Sequence, residues 1–191
     1  MKRTFLLLAL ALPVMAFAKT GTVTSPDGKV LVTVNDDNGI PTYKVDYNGV
    51  RFLNPSPLGL KTNLGDFTSS LDLKGTSDVK TLDVKYQLPN IKKSDVDHKA
   101  NVRIFTFARN GKDAFDVIFH VSDNDIAFRY QMKKQDWTLC CIVSEETTGF
   151  AMPSGTTSFL CPQSKPMQGF GASSPSYETN YDLDQATGKN G

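Results

Sequence analysis

The sequence predicts an all-β protein of antiparallel strands, and three observations carry that prediction. Apolar and polar residues alternate with a period of two, as in Tyr43, Val45 and Tyr47 against Thr42, Lys44 and Asp46, the spacing that places one set on a core face and the other in water. Two Asn-Gly pairs, Asn48-Gly49 and Asn110-Gly111, lie between such stretches, and both residue types tolerate the positive φ that a two-residue hairpin turn demands. Beyond the N-terminal leader, no stretch holds the 3.6-residue helical period over about eleven residues or more. Close-set strands without intervening helices make a sandwich or a barrel.

The chain opens with Met1-Lys2-Arg3, the apolar run Phe5 to Val14, and Ala16-Phe17-Ala18. A basic start, a short apolar segment and an A-x-A site read as a secretory signal peptide cut after Ala18. The run is too short for a permanent membrane anchor, and no cysteine at the cleavage point indicates a lipid. The expected organisation is therefore a signal peptide over 1–18, a β-sandwich domain over 19–161 and an extended tail over 162–191, in an exported protein, periplasmic or secreted. The mature chain beyond the leader is long enough for one domain with a proper core. The formal charge is +1, and loss of Lys2 and Arg3 takes it to −1. No basic stripe or cationic amphipathic helix favours nucleic acid or a membrane surface.

Lys29 to Val34 is a β-rich run between the turn clusters Ser25-Pro26-Asp27-Gly28 and Asn35-Asp36-Asp37-Asn38-Gly39, where proline presets φ and glycine takes the strained position. The second cluster lacks the spacing and distal glutamate of a known calcium loop and reads as an ordinary turn. Tyr43 to Tyr47, Asn48-Gly49 and Val50 to Leu53 form a hairpin, with Asn54-Pro55-Ser56-Pro57 expected to end its second strand because proline gives no N–H to a ladder. Lys61 to Ser77 reads as a weak strand and a loop, Val79 to Leu88 as a strand, and the charged Pro89 to Lys99 as a loop. Val102 to Ala108 and Ala114 to Val121 flank Asn110-Gly111 and form a second hairpin. Ile126 to Tyr130 adds a strand, and Trp137, Leu139, Cys141 and Val143 continue the pattern. From Gly149 onward Gly, Pro, Ser and Thr dominate, and only Thr156 to Cys161 looks like a strand. Such a tail needs another domain to lie against.

Few residues offer chemistry. His120 stands mid-strand in DVIFHV and reads as a half-buried sheet residue, and His98 stands in a charged, solvated stretch. No G-x-S-x-G elbow, H-E-x-x-H helix, C-x-x-C pair or phosphate-binding glycine loop is present. Arg129 faces away from the side shared by Phe128 and Tyr130, and a structural ion pair is the favoured role for it. Export allows one disulfide between Cys161 and either Cys140 or Cys141, the odd count leaving at least one thiol free; the simpler reading is lone thiols acting as small buried hydrophobes. Glu178 is the carboxylate to watch, because Tyr177 and Tyr181 flank it and the stretch from Pro166 to Tyr181 is otherwise uncharged. Hard cations take carboxylate oxygens, and sugars bind aromatics beside acids.

Ser25-Pro26-Asp27-Gly28, Pro41-Thr42-Tyr43 with Tyr47-Asn48-Gly49, and Ser56-Pro57-Leu58-Gly59-Leu60 together resemble the N-terminal domain of glycoside hydrolase family 97. Ile126-Ala127-Phe128-Arg129-Tyr130 looks like that domain's G-x-x-F-R-Y strand, with Asp125 in place of the usual glycine. The similarity runs from about Gly21 to Tyr181 and lies in the order and spacing of these motifs. It implies an antiparallel β-supersandwich akin to galactose mutarotase, packed in longer enzymes on a (β/α)8 barrel that carries the catalytic carboxylates and a calcium ion, and acting on an α-linked oligosaccharide as an α-glucosidase or α-galactosidase. By position Glu178 matches the one glutamate that the domain lends to the calcium site, with Asp182 and Asp184 as alternatives. Having no barrel, the chain carries no catalytic pair of its own and is expected to be a frame truncated before it. Two other readings compete: a free-standing carbohydrate-binding or surface β-sandwich, and a mutarotase-like epimerase. The second needs a cluster of histidines with an acid on one sheet face, which one strand histidine does not provide.

Overall fold

The computed structural model describes residues 19–90, 92, 94–135, 138–159 and 183–187. Two antiparallel sheets face each other. The first is a four-strand meander in the order β1 (Thr20–Thr24), β2 (Val30–Asn35), β3 (Thr42–Tyr47) and β4 (Val50–Pro57). The second runs β11 (Ile126–Met132), β10 (Lys112–Ser122), β9 (Asp95–Arg109) and β7 (Asp72–Thr76). β9 is long enough that β7 pairs with its second half while β8 (Lys80–Gln87) pairs with its first. A small third sheet joins β5 (Leu60–Thr62), β6 (Gly65–Phe67) and β12 (Val143–Glu146). The predicted all-β antiparallel sandwich is what the chain forms.

Period-two alternation builds the core. Val23, Val32, Val34, Tyr43 and Val45 point inward from the first sheet and meet Phe105, Phe107, Phe115, Val117, Phe119 and Val121 from the second. Four of those phenylalanines are fully buried, and each such side chain is worth about 1.5–3 kcal/mol of transfer from water. Phe119 is the hub, with Phe128 at 5.0 Å, Phe105 at 5.7 Å and Tyr43 at 5.8 Å between ring centroids. Both Asn-Gly turns form as predicted: Asn48 and Gly49 have φ of 49° and 76°, and Asn110 and Gly111 have 50° and 77°.

Several expectations fail for identifiable reasons. Asn54-Pro55-Ser56-Pro57 does not end β4, which runs on to Pro57. The strand is an edge of its sheet with irregular register against β3, a setting where a missing N–H is tolerated. The charged stretch to Lys99 is a loop only at its start, since β9 begins at Asp95. Lys61 to Ser77 holds three short strands rather than one. The strand expected through Leu139 and Cys141 is absent, and β12 begins at Val143; Trp137 lies outside the described residues. Cys140 and Cys141 are exposed free thiols rather than buried hydrophobes, and Cys161 also lies outside the described residues. Of the described residues from Thr156 to Phe159, β13 (Thr157–Ser158) is the strand, paired with β14 (Gln185–Ala186), and the rest of the expected Thr156 to Cys161 strand lies outside the described residues. β1 carries a core valine that the sequence pattern alone does not assign.

The acidic turn after β2 has a structural task. Asp36 is buried. One of its carboxylate oxygens accepts from the Lys19 N–H at 2.6 Å and the other from the Leu73 N–H at 2.7 Å. It ties the start of the first sheet to the edge of the second, using lone pairs a cation would need.

Candidate functional site

The sandwich is open along one side. There, β3 and β4 of the first sheet stand apart from β11 and the turn before it, leaving a cleft of about 490 Å³. Its floor is Tyr43, Val45, Leu53 and Phe128, its outer rim is Phe52, Phe150 and Met152, and one end is closed by the turn Asp123-Asn124-Asp125. Phe52 and Phe150 are each 62% exposed, so the rim presents bare aromatic surface.

The wall carrying Phe150 is an irregular segment held along β4. Asn54 donates its N–H to the Ala151 carbonyl at 2.9 Å, Ala151 donates to Ser56 Oγ at 2.9 Å, and Gly149 donates to the Pro57 carbonyl at 3.0 Å. A Cβ on Gly149 would stand 2.7 Å from Pro57 Cδ, so only glycine lets the two segments approach this closely. Tyr43 stacks tilted on Phe128 at 5.4 Å, meets Phe150 edge-on at 6.5 Å and donates its hydroxyl to the Gly149 carbonyl at 3.1 Å. Burial, with a smaller push from Tyr130, raises its phenol to about 12.

Below the cleft a relay of hydrogen bonds links the sandwich to the third sheet. The Gly59 N–H donates to the Tyr130 hydroxyl at 3.0 Å, Tyr130 donates to Thr148 Oγ1 at 2.7 Å, and Thr148 donates to Glu146 Oε1 at 2.8 Å. Burial raises the Tyr130 phenol as well, and its two hydrogen bonds work against that.

The cleft holds little reactive chemistry. Its carboxylates, Asp123 and Asp125, come from one turn and cannot stand on opposite sides of a bond, and Asp123 already accepts the Asp27 N–H at 2.9 Å. Asp27 itself is held well below the usual carboxylate range, first by the Lys29 ammonium and then by the Ser25 hydroxyl. A mostly apolar groove of this kind suits an apolar side chain or a packed surface better than a reacting bond.

The structure disperses the residues singled out from the sequence. His98 and His120 both stand on the face of the second sheet that points away from the core, but on different strands, His98 opposite Val84 and His120 opposite Val102. Arg129 is on that same face, where its guanidinium reaches Gln131 Oε1 at 3.3 Å and no described carboxylate, so the expected ion pair is absent among the described residues. Glu178 and Asp182 lie outside the described residues. Asp184 is described: it has a φ of 52° just before β14, and its carboxylate accepts from Thr157 Oγ1 at 3.3 Å. Among the described residues no three His, Cys, Asp or Glu side chains converge to hold a metal, and no helix is long and apolar enough to cross a membrane. The cleft is not legible in the sequence because its walls come from residues 30 to 152; Phe52 and Phe150, aromatics where a surface is expected, are the one local signal.

Comparisons with known proteins identify the domain. Residues 23–190 match the family described as Glycosyl-hydrolase 97 N-terminal. A probable retaining alpha-galactosidase of Streptomyces bingchenggensis (strain BCW-1) is 28% identical over 152 residues, covering 78% of this chain and 23% of its own length. The crystal structure of a beta-arabinopyranosidase superposes with a TM-score of 0.79 at 44% identity, over 86% of this chain and 26% of that one. A family 97 enzyme from Pseudoalteromonas sp. strain K8, solved with panose, gives 0.65 at 25% identity, over 73% of this chain and 21% of that one. A family 97 enzyme from the same strain has also been solved with acarbose. The chain thus spans about a quarter of the length of these relatives. With its two-sheet sandwich and a match over nearly all residues beyond the leader, it belongs to glycoside hydrolase family 97 as the N-terminal domain.

Proposed function

We propose that this domain serves as the scaffold on which the catalytic part of an exported family 97 glycoside hydrolase is built, in an enzyme that acts on α-linked oligosaccharides or related pyranosides. The observation that carries the reading is the superposition of the sandwich on one quarter of a beta-arabinopyranosidase. The cleft fits this role: it offers bare aromatic surface and a rim without an acid–base pair. Two carboxylates placed across a glycosidic bond are what hydrolysis of that bond requires, and they fall to the rest of such an enzyme. The basic-apolar leader ending at Ala18 supports export to the periplasm or beyond.

Calcium enters by resemblance. The described residues do not by themselves fit the ion, which takes six to eight oxygens, whereas they offer Asp184 alone near the tail. Glu178 would supply one carboxylate from the segment between β13 and β14, and the remaining ligands would come from the catalytic part.

The test is a graft. Residues 19–187 replace the corresponding quarter of the beta-arabinopyranosidase, and hydrolysis of aryl β-arabinopyranoside and α-galactoside is measured. The chimera is expected to turn over one of the two, and the chain alone neither. Turnover by the chain alone at the level of a working glycosidase would overturn the reading. In the chimera, Glu178→Gln should raise the calcium needed for half-maximal activity after chelation; superimposed titrations would remove Glu178 from the metal site.

A further inference from the structure

β8 and the first half of β9 form a two-stranded ribbon that projects beyond the sandwich, and its two faces differ in kind. Residues opposite each other in an antiparallel pair share a face. On one face Thr81 pairs with Asn101, Asp83 with Lys99, Lys85 with Asp97 and Gln87 with Asp95. Each of these pairs is joined by a hydrogen bond or ion pair of 2.6 to 3.1 Å. On the other face Leu82 stands opposite Ala100, Val84 opposite His98 and Tyr86 opposite Val96. Val84 is 38% and Tyr86 47% exposed. The apolar stripe does not stop where the ribbon meets the body, because Val102 and Ile104 continue it along β9.

A two-stranded ribbon with an apolar face is at best marginal in water unless that face is covered. The polar face is self-satisfied and belongs in solvent. We infer that the apolar face of the β8–β9 ribbon is the seat for the catalytic part of the enzyme, an inference that rests on the scaffold reading. Two observations favour this occupant over a second copy of the chain. The face is long: eight residues of β8 at roughly 3.3 Å each span about 26 Å, the reach of a domain surface, and the relatives have some three-quarters of their length beyond the matched region. The face also carries a cation at the end where it meets the body. Lys80 stands on it, opposite Val102, without a described carboxylate partner. A two-fold partner would bring the same cation; a catalytic body with an acidic side chain beside an apolar patch would complement it.

The experiment compares amide hydrogen exchange of β8 and of residues 95–100 in the chain alone and in the arabinopyranosidase chimera. At least a hundredfold slower exchange in the chimera is expected, and Tyr86→Lys should return it to the rate of the chain alone. Lys85→Gln, on the polar face, should not. Equal exchange in chain and chimera while the chimera is active would overturn the inference and leave the scaffold reading standing. Slow exchange in an inactive chimera would leave the docking face standing and count against the scaffold reading. Light scattering of the chain alone gives an independent arm: a dimer that Tyr86→Lys dissolves would assign the face to a second copy. Should the chimera not fold, the melting temperature of the chain alone still decides. Val84→Lys and Tyr86→Lys are expected to leave it within a few degrees of wild type, and a drop as large as that of a core variant would mean the chain covers this face itself.

Discussion

β9 is one strand with two surroundings, and the two halves of its inward face are made of different residues. In the second half that face carries Phe105 and Phe107, both fully buried against the opposing sheet. In the first half the same face carries Asp97 and Lys99, joined to Lys85 and Asp83 in water. The change comes at Asn101 and Arg103, whose side chains donate to the carbonyls of Thr24 and Thr22 on β1, the last strand of the opposing sheet. Where β1 ends, phenylalanine gives way to charge. The outward face makes no such change: Val96, the buried Ala100, Val102 and Ile104 run along both halves, with His98 the one polar residue among them. Toward the ribbon's tip that face stays apolar, with Val84 38% and Tyr86 47% exposed and nothing described standing over them, whereas the inward face is apolar only where β1 to β4 stand over it.

The largest effect that tests this contrast is at Phe105. Its ring is fully buried and meets Phe119 edge-on at 5.7 Å. Phe105→Ala removes that packing and leaves a cavity, at a cost of about 3–5 kcal/mol. Val96→Ala, on the outward face of the ribbon, should cost within about 0.5 kcal/mol in the chain alone. Urea titration of both variants decides the matter. Equal losses would mean that the ribbon is as much core as the sandwich.

A smaller effect comes from alkali, which acts on the core side. The Tyr43 phenol is raised to about 12 in the fold against roughly 10 in an unfolded chain. The fold therefore favours the protonated phenol. That stabilisation is complete below pH of about 10 and disappears as the pH rises through about 12. Melting temperature should fall over this window, and Tyr43→Phe, which has no proton to lose, should show a shallower fall. Parallel curves for the two proteins would remove Tyr43 as the group responsible.

How much of the molecule is legible in the sequence depends on how local each signal is. The two Asn-Gly turns need only four or five flanking residues on each side, and both form in register. The aromatic hub can be anticipated as a face of Phe115, Val117 and Phe119, though its partner Tyr43 lies more than seventy residues away. The β4 prolines mislead because being an edge strand is a property of the sheet, and a lone strand does not display it. The start of β9 misleads for a related reason: Asp95, Asp97 and Lys99 look like loop when the alternating Val96 and Ala100 are not weighed against them. Alternation places Arg129 correctly on the outward face but does not supply its partner, since whether a carboxylate lies in reach depends on the neighbouring strands. The cleft is out of reach altogether, being assembled from segments distant in the chain, and the ribbon's two faces go unseen only because the start of β9 reads as loop.

The smallest effect is the most informative about the ribbon. Lys99 and Asp83 are 3.1 Å apart with about half of each side chain exposed, 52% and 49%. Water and salt screen such a pair, and holding two long side chains together costs rotamer entropy, so exposed pairs couple by about 0–1 kcal/mol. A double-mutant cycle with Lys99→Ala and Asp83→Ala in the chain alone should return a coupling in that range, and one that fades in about 1 M salt, where the screening length is roughly 3 Å. The pair would then serve to keep one face of the ribbon wet and so leave the other as the face for contact, without adding much to stability. A coupling above about 2 kcal/mol that survives high salt would instead mean a desolvated pair. In that case the charged face, and not the stripe of Leu82, Val84 and Tyr86, would be the one that another body covers, and the assignment of the two faces would reverse.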